Sequence, residues 1–447
     1  MMTYGTYRAR PARGKGRGAT GWQRGCAASA SHPRIDRRAG ARGQVLALAA
    51  FSMIALCALV GLAADTGYFF DYKRKMQTAA DAAALAGAEQ LRRVGNGQIV
   101  SAADAAAASN GFTNNVSGTS IQVQIPPSSG YYTSDGSYVE AIISQTRPTL
   151  FMGILGLQSA KVSARAVAGV QDSPNCIYAL SQTGTGLATN GSGSSLSAAC
   201  GIVVNSSASG ALNAGSGAVF GTSVTIAGTY SGSCSSSDPL GCRTGVPPQP
   251  DPLAQLADPQ FSGCDFGAPT PVNINGGVVT LNPGVYCNGI SIGSGASVTF
   301  QPGLYILNGG GLSVSGNSTI QGTGVTFYNT AQGHYSYAAV TITGGTLGFL
   351  YAPTSGPMEG ILFFQDRTIT PKSNQGTNVI AGSSNLNFNG TFYFPTTNLT
   401  FSGGGQIATN YTIFVAKTVV VGGNTTLSAN FSSLQDGNPI KKITLAE

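Results

Sequence analysis

Apolar residues are concentrated in one uninterrupted run near the start of the chain. The run begins at Val45 and ends at Ala64, and its 20 residues include no charged side chain. At about 1.5 Å per residue, a helix of this length spans the roughly 30 Å hydrocarbon core of a bilayer. No proline follows until Pro126, and residues 76–91 are rich in strong helix formers. The pattern predicts a transmembrane helix that continues to residue 91 as one rod of about 70 Å.

Alanine dominates the second half of this predicted rod. Ala82, Ala83 and Ala84 follow one another near its centre. Small side chains let another helix approach closely, as they do in membrane-helix packing, so these three alanines are candidate helix-packing residues. The alternative interpretation is a spacer that is helical because alanine favours helix. The sequence leaves both interpretations open.

The periodicity changes after the rod, in residues 93–172. The predicted elements are a helix at 98–110, strands at 120–125 and 138–147, a short apolar helix at 150–157 and a strand at 160–170. This α-β-β-α-β order predicts a small sheet with helices on one face. We expect the short apolar segment, L-F-M-G-I-L-G-L, to pack in the core of this unit. The alternative is a position in the membrane interface, because this segment is too short to cross a bilayer.

From residue 173 onward, short strands and glycine-rich turns replace the helical patterns. Three similar segments begin at Leu281, Phe300 and Ile320, and their equivalent positions are 19 residues apart. A repeat of about 20 residues with short strands is typical of stacked β-coils. We therefore predict a right-handed parallel β-helix or a related β-solenoid, interrupted by a loop at residues 251–259. A β-sandwich is the alternative, since it also uses short strands and glycine-rich turns.

Together these patterns predict a membrane-anchored α+β protein of four segments. They are a basic disordered segment at 1–43, the transmembrane and extended helix at 44–92, a small α/β domain at 93–172, and a Gly/Ser/Asn-rich all-β domain at 173–447. The last segment contains few charged residues, which argues against a charged disordered tail.

Charge is distributed unevenly on the two sides of the apolar run. Residues 1–43 contain ten Lys or Arg and one acid, Asp36, although the whole chain carries a net charge of only +7. Because basic residues favour the cytoplasmic side, we expect a cytoplasmic N-terminus and an exported C-terminal part. No aromatic stacking pattern accompanies the basic arm, so we expect no nucleic-acid partner. A cleaved signal peptide is the alternative, but 20 apolar residues exceed the usual length of its apolar region.

Six of the eight cysteines lie in the part predicted to be exported. An even number fits disulfides in an oxidising compartment such as the periplasm. Among the possible connectivities we expect the sequential one, which pairs Cys176 with Cys200, Cys234 with Cys242, and Cys264 with Cys287. Close Cys-x-x-Cys pairs are absent, and the chain has only two histidines, so we expect no metal site.

Candidate catalytic groups are sparse in the β region. Those close in sequence are Glu359, Asp366, Arg367, Lys372 and His334. Glycosidic cleavage uses two facing carboxylates, whereas an Asp-Arg pair after an apolar strand is typical of a structural salt bridge or turn. A sugar-binding strip would need exposed aromatic residues, and the candidates are Tyr335, Tyr337, Tyr351, Phe392 and Tyr393. We expect these rings inside the coils and no catalytic site.

The residues around the apolar run resemble a known family. Arg42, Gly43 and Gln44 precede the run, G-L-A-A-D and an aromatic cluster end it, and an alanine block centred on Asp81 follows. Over this stretch the chain resembles the N-terminal domain of TadG-like proteins of the tight-adherence, or Flp pilus, assembly system. The resemblance implies a bacterial inner-membrane protein of an envelope-spanning pilus or adhesion apparatus. It implies no enzymatic activity and no cofactor.

The chain departs from that family in one respect. Many TadG-like proteins continue into a von Willebrand A-type domain, whose metal site needs Asp-x-Ser-x-Ser, and the nearest candidate, which starts at Asp135, has Val139 in the last position. We predict a non-enzymatic structural component whose partners are the lipid bilayer and other pilus-assembly or envelope proteins. The alternatives are a surface adhesin or glycan-binding β-helix protein, with a glycan as partner, and a polysaccharide hydrolase or lyase.

Overall fold

The structure of the protein is a computed structural model. It describes residues 41–94, 96–370, 376–381, 386–402, 406–407 and 410–447. The basic arm up to residue 40, with Cys26, lies outside the described residues, and so does the catalytic candidate Lys372.

A single long helix, α1 (Ala41–Val94), begins the described part of the chain. Its 54 residues correspond to about 80 Å at 1.5 Å per residue. The predicted continuation of the apolar run into the alanine-rich segment is correct, because no proline interrupts the helix. Among the described residues, α1 is the one helix long and apolar enough to cross a membrane. Between residues 45 and 64 every side-chain position is exposed except Gly61.

Short helical elements and many strands follow α1. A 3-10 turn at Asn96–Gln98 leads into α2 (Ile99–Ser109), and a second 3-10 turn lies at Met152–Leu155. The strands are β1 Thr119–Gln124, β2 Tyr138–Pro148, β3 Ser159–Asp172, β4 Asn175–Ala179, β5 Leu187–Ala198, β6 Gly201–Val204, β7 Leu212–Gly221, β8 Val224–Ile226, β9 Tyr230–Ser236, β10 Cys242–Thr244, β11 Val272–Asn275, β12 Val278–Leu281, β13 Gly284–Cys287, β14 Ile290–Gly293, β15 Ser297–Phe300, β16 Gly303–Asn308, β17 Leu312–Val314, β18 Thr319–Thr323, β19 Val325–Thr330, β20 Thr341–Ile342, β21 Leu347–Tyr351, β22 Ile361–Gln365, β23 Thr377–Ile380, β24 Leu386–Ser402, β25 Gln406–Ile407, β26 Thr412–Leu427 and β27 Lys441–Leu445.

Four strands form a small antiparallel sheet in the order β1-β2-β3-β27. Its strands β1 to β3 lie within two residues of the bounds predicted from the sequence. The expected core packing of residues 150–157 is wrong, because the 3-10 turn there has no buried residue. Strand β27 returns from the end of the chain to pair with β3, so this sheet crosses the division expected after residue 172.

Helix α1 packs on this sheet through a face made of alanine. The fully buried positions of this face are Ala79, Ala80, Ala83, Ala84 and Ala88, in a cluster with α2 and strands of the sheet. Of the three packing candidates, Ala83 and Ala84 are buried here, and Ala82 is half-buried. The close approach expected of these alanines is therefore made within the chain. It leaves no exposed surface on Ala83 and Ala84 for another protein.

The other strands form a 23-stranded set whose paired strands are all parallel. A strand typically pairs with the third strand after it, as β13 does with β16, β16 with β19, and β19 with β22. Successive strands therefore belong to three different ladders. Paired residues are 19 positions apart between β12 and β15, 22 between β15 and β18, and 28 between β18 and β21. The constant interval of 19 expected from the sequence is wrong, because the turns lengthen while the strands stay in register.

The order of strands along this stack differs from their order in the chain. Strand β26, the last of the set, pairs with β4 and β5, which are the first two. The stack continues through β6 and β8 to β10 at one end, whereas β11, β12 and β13 lie at the other end. The chain therefore enters the stack in its middle, runs to one end and has to return along the outside.

Residues 246–266, which we name the strap, make this return. Near one end of the stack, Gln249 and Asn205 exchange two hydrogen bonds of 2.6 and 2.8 Å. Further along, Asp251 accepts a hydrogen bond of 2.5 Å from the hydroxyl of Tyr393. The loop expected at residues 251–259 is part of the strap, and it crosses the strands of the stack.

Arg367 holds the middle of the strap. Its guanidinium forms an ion pair of 2.6 Å with Asp258 and donates to the carbonyl oxygens of Leu253 and Leu256 at 2.7 and 2.6 Å. It also donates to the hydroxyl of Tyr393 at 2.8 Å. A planar guanidinium can satisfy several acceptors at once, which a lysine could not do in this geometry.

The six cysteines after residue 172 are joined in three disulfides, and the pairs are the sequential ones. The bonds are Cys176–Cys200, Cys234–Cys242 and Cys264–Cys287, with Cα–Cα distances of 5.7, 6.3 and 5.7 Å. The first two join neighbouring layers of the stack. The third attaches the end of the strap to β13. Among the described residues, Cys57 of α1 is the free cysteine.

Aromatic rings form a column inside the stack. Successive layers contribute one ring each, from Tyr286, Tyr305, Phe327, Phe363 and Phe392. In this order the centroids of neighbouring rings are 5.8, 5.3, 5.3 and 5.2 Å apart. All five side chains are buried. Each aromatic pair contributes roughly 0.5–1.5 kcal/mol beyond the burial of its area.

Replacing Ala83 with leucine tests the packing of α1 on the small sheet. Ala83 has no exposed surface, so the larger side chain has no room. We expect the free energy of unfolding of the sheet to fall by about 1–3 kcal/mol. The matched Ala82→Leu variant, at a half-buried position, should behave like the wild type. Hydrogen exchange of the β2 and β3 amides measures both variants, and equal protection in the two would contradict this packing.

Replacing Arg367 with methionine tests the attachment of the strap. The variant loses an ion pair and three hydrogen bonds at a largely buried side chain, which should weaken the attachment by about 2 kcal/mol. Chymotrypsin should then cleave the strap after Leu253 or Phe261 about 10- to 100-fold faster. The control is Arg243→Met, which removes a more exposed ion pair of 3.7 Å with Asp238 and should change nothing measurable. Unchanged cleavage of the Arg367 variant would refute this role.

Candidate interaction site where the long helix meets the small sheet

A loop between β2 and β3 lies against α1. We name residues 149–158 the junction loop; it contains the 3-10 turn Met152–Leu155. The first N–H groups of such a turn have no partner within it. The buried carboxylate of Asp65 accepts three hydrogen bonds there, from the N–H groups of Leu150, Phe151 and Met152 at 2.8, 3.0 and 2.7 Å. Because bonds to a charged acceptor are strong, this contact fixes the loop on the helix.

The junction loop also satisfies backbone groups of its own. The N–H groups of Ile154, Gly156 and Leu157 donate to carbonyl oxygens earlier in the loop at 3.1–3.2 Å. At its base, the N–H of Thr149 donates to the carbonyl of Gln158 at 3.1 Å. Gly156 has a φ of 90°, a conformation that favours glycine. The loop is thus a closed hairpin whose side chains point away from its backbone hydrogen bonds.

These outward side chains are apolar and exposed. Ile154 is 86% exposed and Leu155 is 70% exposed, and Leu150 and Leu157 are more than half exposed. Between the loop and α1 lies an open apolar groove of about 810 Å³, whose helix wall belongs to residues 50–62. The apolar surface of the loop is therefore continuous with that of the helix.

Gly61 allows the loop to approach the helix. A Cβ atom at this position would lie 2.8 Å from the Cβ of Phe151, closer than side-chain atoms pack. Any larger residue would push Phe151 and the loop away from α1. The glycine that stands four residues before Asp65 therefore has a packing role.

An aromatic and basic cluster, which we name the collar, lies on one face of α1 just beyond Asp65. Tyr68 and Tyr72 are one helical turn apart and share a face. Arg147 donates to the hydroxyl of Tyr68 at 2.8 and 3.2 Å and lies 4.6 Å from the centre of the Tyr72 ring. The hydrogen bond to Tyr68 raises the pKa of Arg147 above its ordinary value. The hydroxyl of Tyr72 bonds to the side chain of Gln145, which joins the collar to β2.

Two lysines extend the collar toward β3. Lys73 and Lys161 line a groove of about 350 Å³ between α1 and β3, with Phe69 and Phe70 in its wall. The base of the small sheet thus carries apolar surface beside residues 50–62, and cationic and aromatic groups about two to three helical turns further on.

The predicted catalytic candidates have structural partners. The carboxylate of Asp366 accepts hydrogen bonds from the hydroxyl of Thr330 at 2.7 Å and from the N–H and hydroxyl of Thr368 at 2.8 and 2.7 Å. Burial raises the pKa of Asp366, but these donors outweigh burial and hold the pKa below its ordinary value. Its neighbour Arg367 is turned to the strap. The two residues therefore act as acceptor and donor for separate parts of the fold.

Glu359 lies in an open pocket of about 400 Å³ that it shares with Arg92, Asp436 and Lys441. Its carboxylate accepts the N–H of Asp436 at 2.8 Å. Lys441 forms an ion pair of 2.6 Å with Asp172, the last residue of β3. These contacts hold the end of the chain beside the small sheet.

The remaining candidates are dispersed. His334 lies in an exposed turn with its ring 4.2 Å from that of Tyr335. Of the proposed sugar-binding aromatics, Phe392, Tyr393 and Tyr337 are buried. Over the described ranges, no three His, Cys, Asp or Glu side chains gather in a way that could hold a metal ion.

Sequence reasoning missed Asp65 and Arg147 as site residues. A single acid directly after an uncharged run was one available signal, and the apolar run L-F-M-G-I-L-G-L was another. The two features are about 85 residues apart, and no local periodicity relates them. Only the folded chain brings them together.

Comparison with known proteins gives a family match for α1. Residues 43–90 match the Tad family model, which describes TadE/G-like proteins of Flp pilus assembly. The resemblance seen in the sequence is thereby confirmed for this segment. The match includes Gly61, Asp65, Tyr68 and Tyr72, and it ends before the first strand. No curated protein and no solved structure matches the chain.

Replacing Asp65 with asparagine tests its role in the junction loop. The variant keeps the size of the side chain but removes the charge that three N–H groups share. We expect the amides of residues 150–152 to exchange hydrogen about 10- to 100-fold faster. The control is Asp71→Asn on the same helix, where the acid is exposed and pairs with Lys75. If both variants exchanged like the wild type, Asp65 would not hold the loop.

Proposed function

We propose that this protein is a non-enzymatic structural component of a bacterial Tad/Flp-type pilus-assembly or adhesion apparatus. The observation that carries the proposal is the match of residues 43–90 to the pilus-assembly family. Proteins of this family are in general not enzymes. The environments of Glu359, Asp366 and Arg367 support the same proposal, because these groups form hydrogen bonds or ion pairs within the fold.

In this proposal residues 45–64 anchor the protein in the inner membrane. The large apolar side chains of this segment are exposed in the folded chain, among them Leu48, Phe51 and Ile54. A continuous exposed apolar surface of this size needs a nonpolar environment. The excess of basic residues before the segment favours a cytoplasmic N-terminus. The three disulfides support export of the β region to the periplasm or beyond.

We further propose that the parallel stack is a β-solenoid. Three ladders of parallel strands and an aromatic column along the stack support this architecture over a sandwich of antiparallel sheets. The four-segment division of the chain stands as part of the proposal, with residues 441–445 assigned to the small domain.

The way the stack is connected fits a structural role. β3 ends at Asp172 and β4 begins at Asn175, while β26 ends at Leu427 and β27 begins at Lys441. The stack is therefore inserted between two adjacent strands of the small sheet. Two chain connections restrict rotation of the stack relative to the sheet more than a single connection would. The solenoid is therefore held as a stiff projection from the membrane-proximal sheet.

Co-purification from native membranes tests the proposed function. The full-length tagged protein, solubilised from the bacterium that produces it, should bring Flp pilus-assembly proteins with it. Thr78 lies on the exposed face of the family-matched helix, so Thr78→Trp should reduce this co-purification severalfold by blocking the approach of a partner.

The matched control is Val278→Trp, an exposed position on the stack outside the family match. It should leave co-purification unchanged. Recovery of the protein without any pilus-assembly component, under conditions that preserve other membrane complexes, would refute the proposed role.

A further inference from the structure

We propose that the junction loop, residues 149–158, is a second membrane element, which inserts its apolar side chains among lipid acyl chains beside the helical anchor. The inference rests on the proposed function, because it takes residues 45–64 to be in the bilayer. It adds that the small sheet is seated on the membrane by two contacts instead of hanging from one helix.

The position of the loop along α1 is the first argument. Phe151 packs against Gly61, and the groove shared with Ile154 and Leu155 reaches residue 50 of the helix. From residue 64 back to Cys57 the helix covers about 10 Å. A loop beside this stretch lies at the same depth as the helix itself. If the helix is in the bilayer, the loop is in it as well.

The chemistry of the loop is the second argument. Residues 150–157 contain no charged or polar side chain. In the hydrocarbon region every backbone polar group needs a partner within the protein. The loop meets this requirement for most of its N–H groups, through its own hydrogen bonds and through Asp65, which accepts from the three N–H groups at the start of the turn. In a loop that faces water, solvent could supply the partners of these backbone groups.

The surroundings of the loop are the third argument. Tyrosine, lysine and arginine are the residues that mark the boundary between a bilayer and water. Tyr68, Tyr72 and Arg147 form the collar directly after Asp65, and Lys73 and Lys161 follow. The apolar loop therefore ends where an interfacial belt begins.

Lipid fits this surface better than a helix of another protein. Exposed apolar side chains point outward at the tip of the hairpin, where Ile154 and Leu155 are the most exposed of the loop. Acyl chains adapt both to this protruding tip and to the open groove between the loop and α1, whereas a helix packs best along a surface of matching shape. The same lipid-facing surface continues along residues 45–60 of α1, all of which are exposed.

Fluorescence quenching by brominated lipids tests the insertion. The single tryptophan of the chain, Trp22, is replaced by phenylalanine, and one new tryptophan is introduced in the full-length protein at a time. The variants are Ile154→Trp in the loop, Leu56→Trp in the anchor and Val278→Trp on the stack, all at exposed positions. Each is reconstituted in phosphatidylcholine vesicles with or without bromine on the acyl chains.

We expect brominated lipid to reduce the emission of the loop and anchor variants about twofold or more and to leave the stack variant unchanged. If the anchor variant were quenched and the loop variant were not, the inference would be overturned, whereas the proposed membrane anchor would stand. Quenching of neither would overturn the anchor, and with it the proposed membrane location. The loop tryptophan could also escape quenching at high protein density and become quenched when the protein is diluted in lipid. That result would assign the surface to a second copy of the chain and overturn insertion in lipid.

A second comparison shows whether Asp65 positions the loop. In the Ile154→Trp background, Asp65→Ala should reduce quenching, because three unpartnered N–H groups draw the loop toward water. Asp71→Ala, at an exposed acid of the same helix, should leave quenching unchanged. Equal quenching in both would show that the loop inserts without Asp65 and would overturn this part of the inference.

Discussion

The close contact between the alanine face of α1 and the small sheet is the interaction on which the rest of the structure depends. Ala79, Ala83 and Ala88 are fully buried in it. Because alanine ends at Cβ, the helix backbone lies near the strands, and the sheet becomes a rigid extension of the helix. Everything attached to the sheet, including the junction loop and the parallel stack, is thereby oriented relative to the apolar half of α1.

The stack depends on that sheet through its two connections. It leaves from the end of β3 and returns to β27, and the ion pair of Asp172 with Lys441 lies between them. Within the stack the first strands are placed against the last one. This arrangement puts β4 and β5 in the interior of the stack, and it requires the strap that Arg367 holds.

Several charged residues after the apolar run form hydrogen bonds that the fold needs. Asp65 accepts hydrogen bonds from N–H groups at the start of the junction loop, and Asp366 accepts hydrogen bonds from two threonines. Arg367 donates hydrogen bonds to carbonyl groups of the strap. A buried charge is tolerated only when several hydrogen bonds compensate its lost hydration. Asp366 and Arg367 were candidates for chemistry in the sequence, whereas in the fold their hydrogen bonds hold neighbouring parts of the chain.

Local composition determined the long helix, the strands of the small sheet and the repetitive β region, because helix formation and strand alternation depend on neighbouring residues. Tertiary structure alone decided the placement of β4 on β26, the route of the strap and the pairing of Asp65 with residues 150–152. These contacts join residues far apart in the chain, and no periodicity encodes them. The apolar run at 150–157 shows the limit of prediction from local composition. Apolar composition by itself does not distinguish a segment packed in a core from one exposed beside a helix.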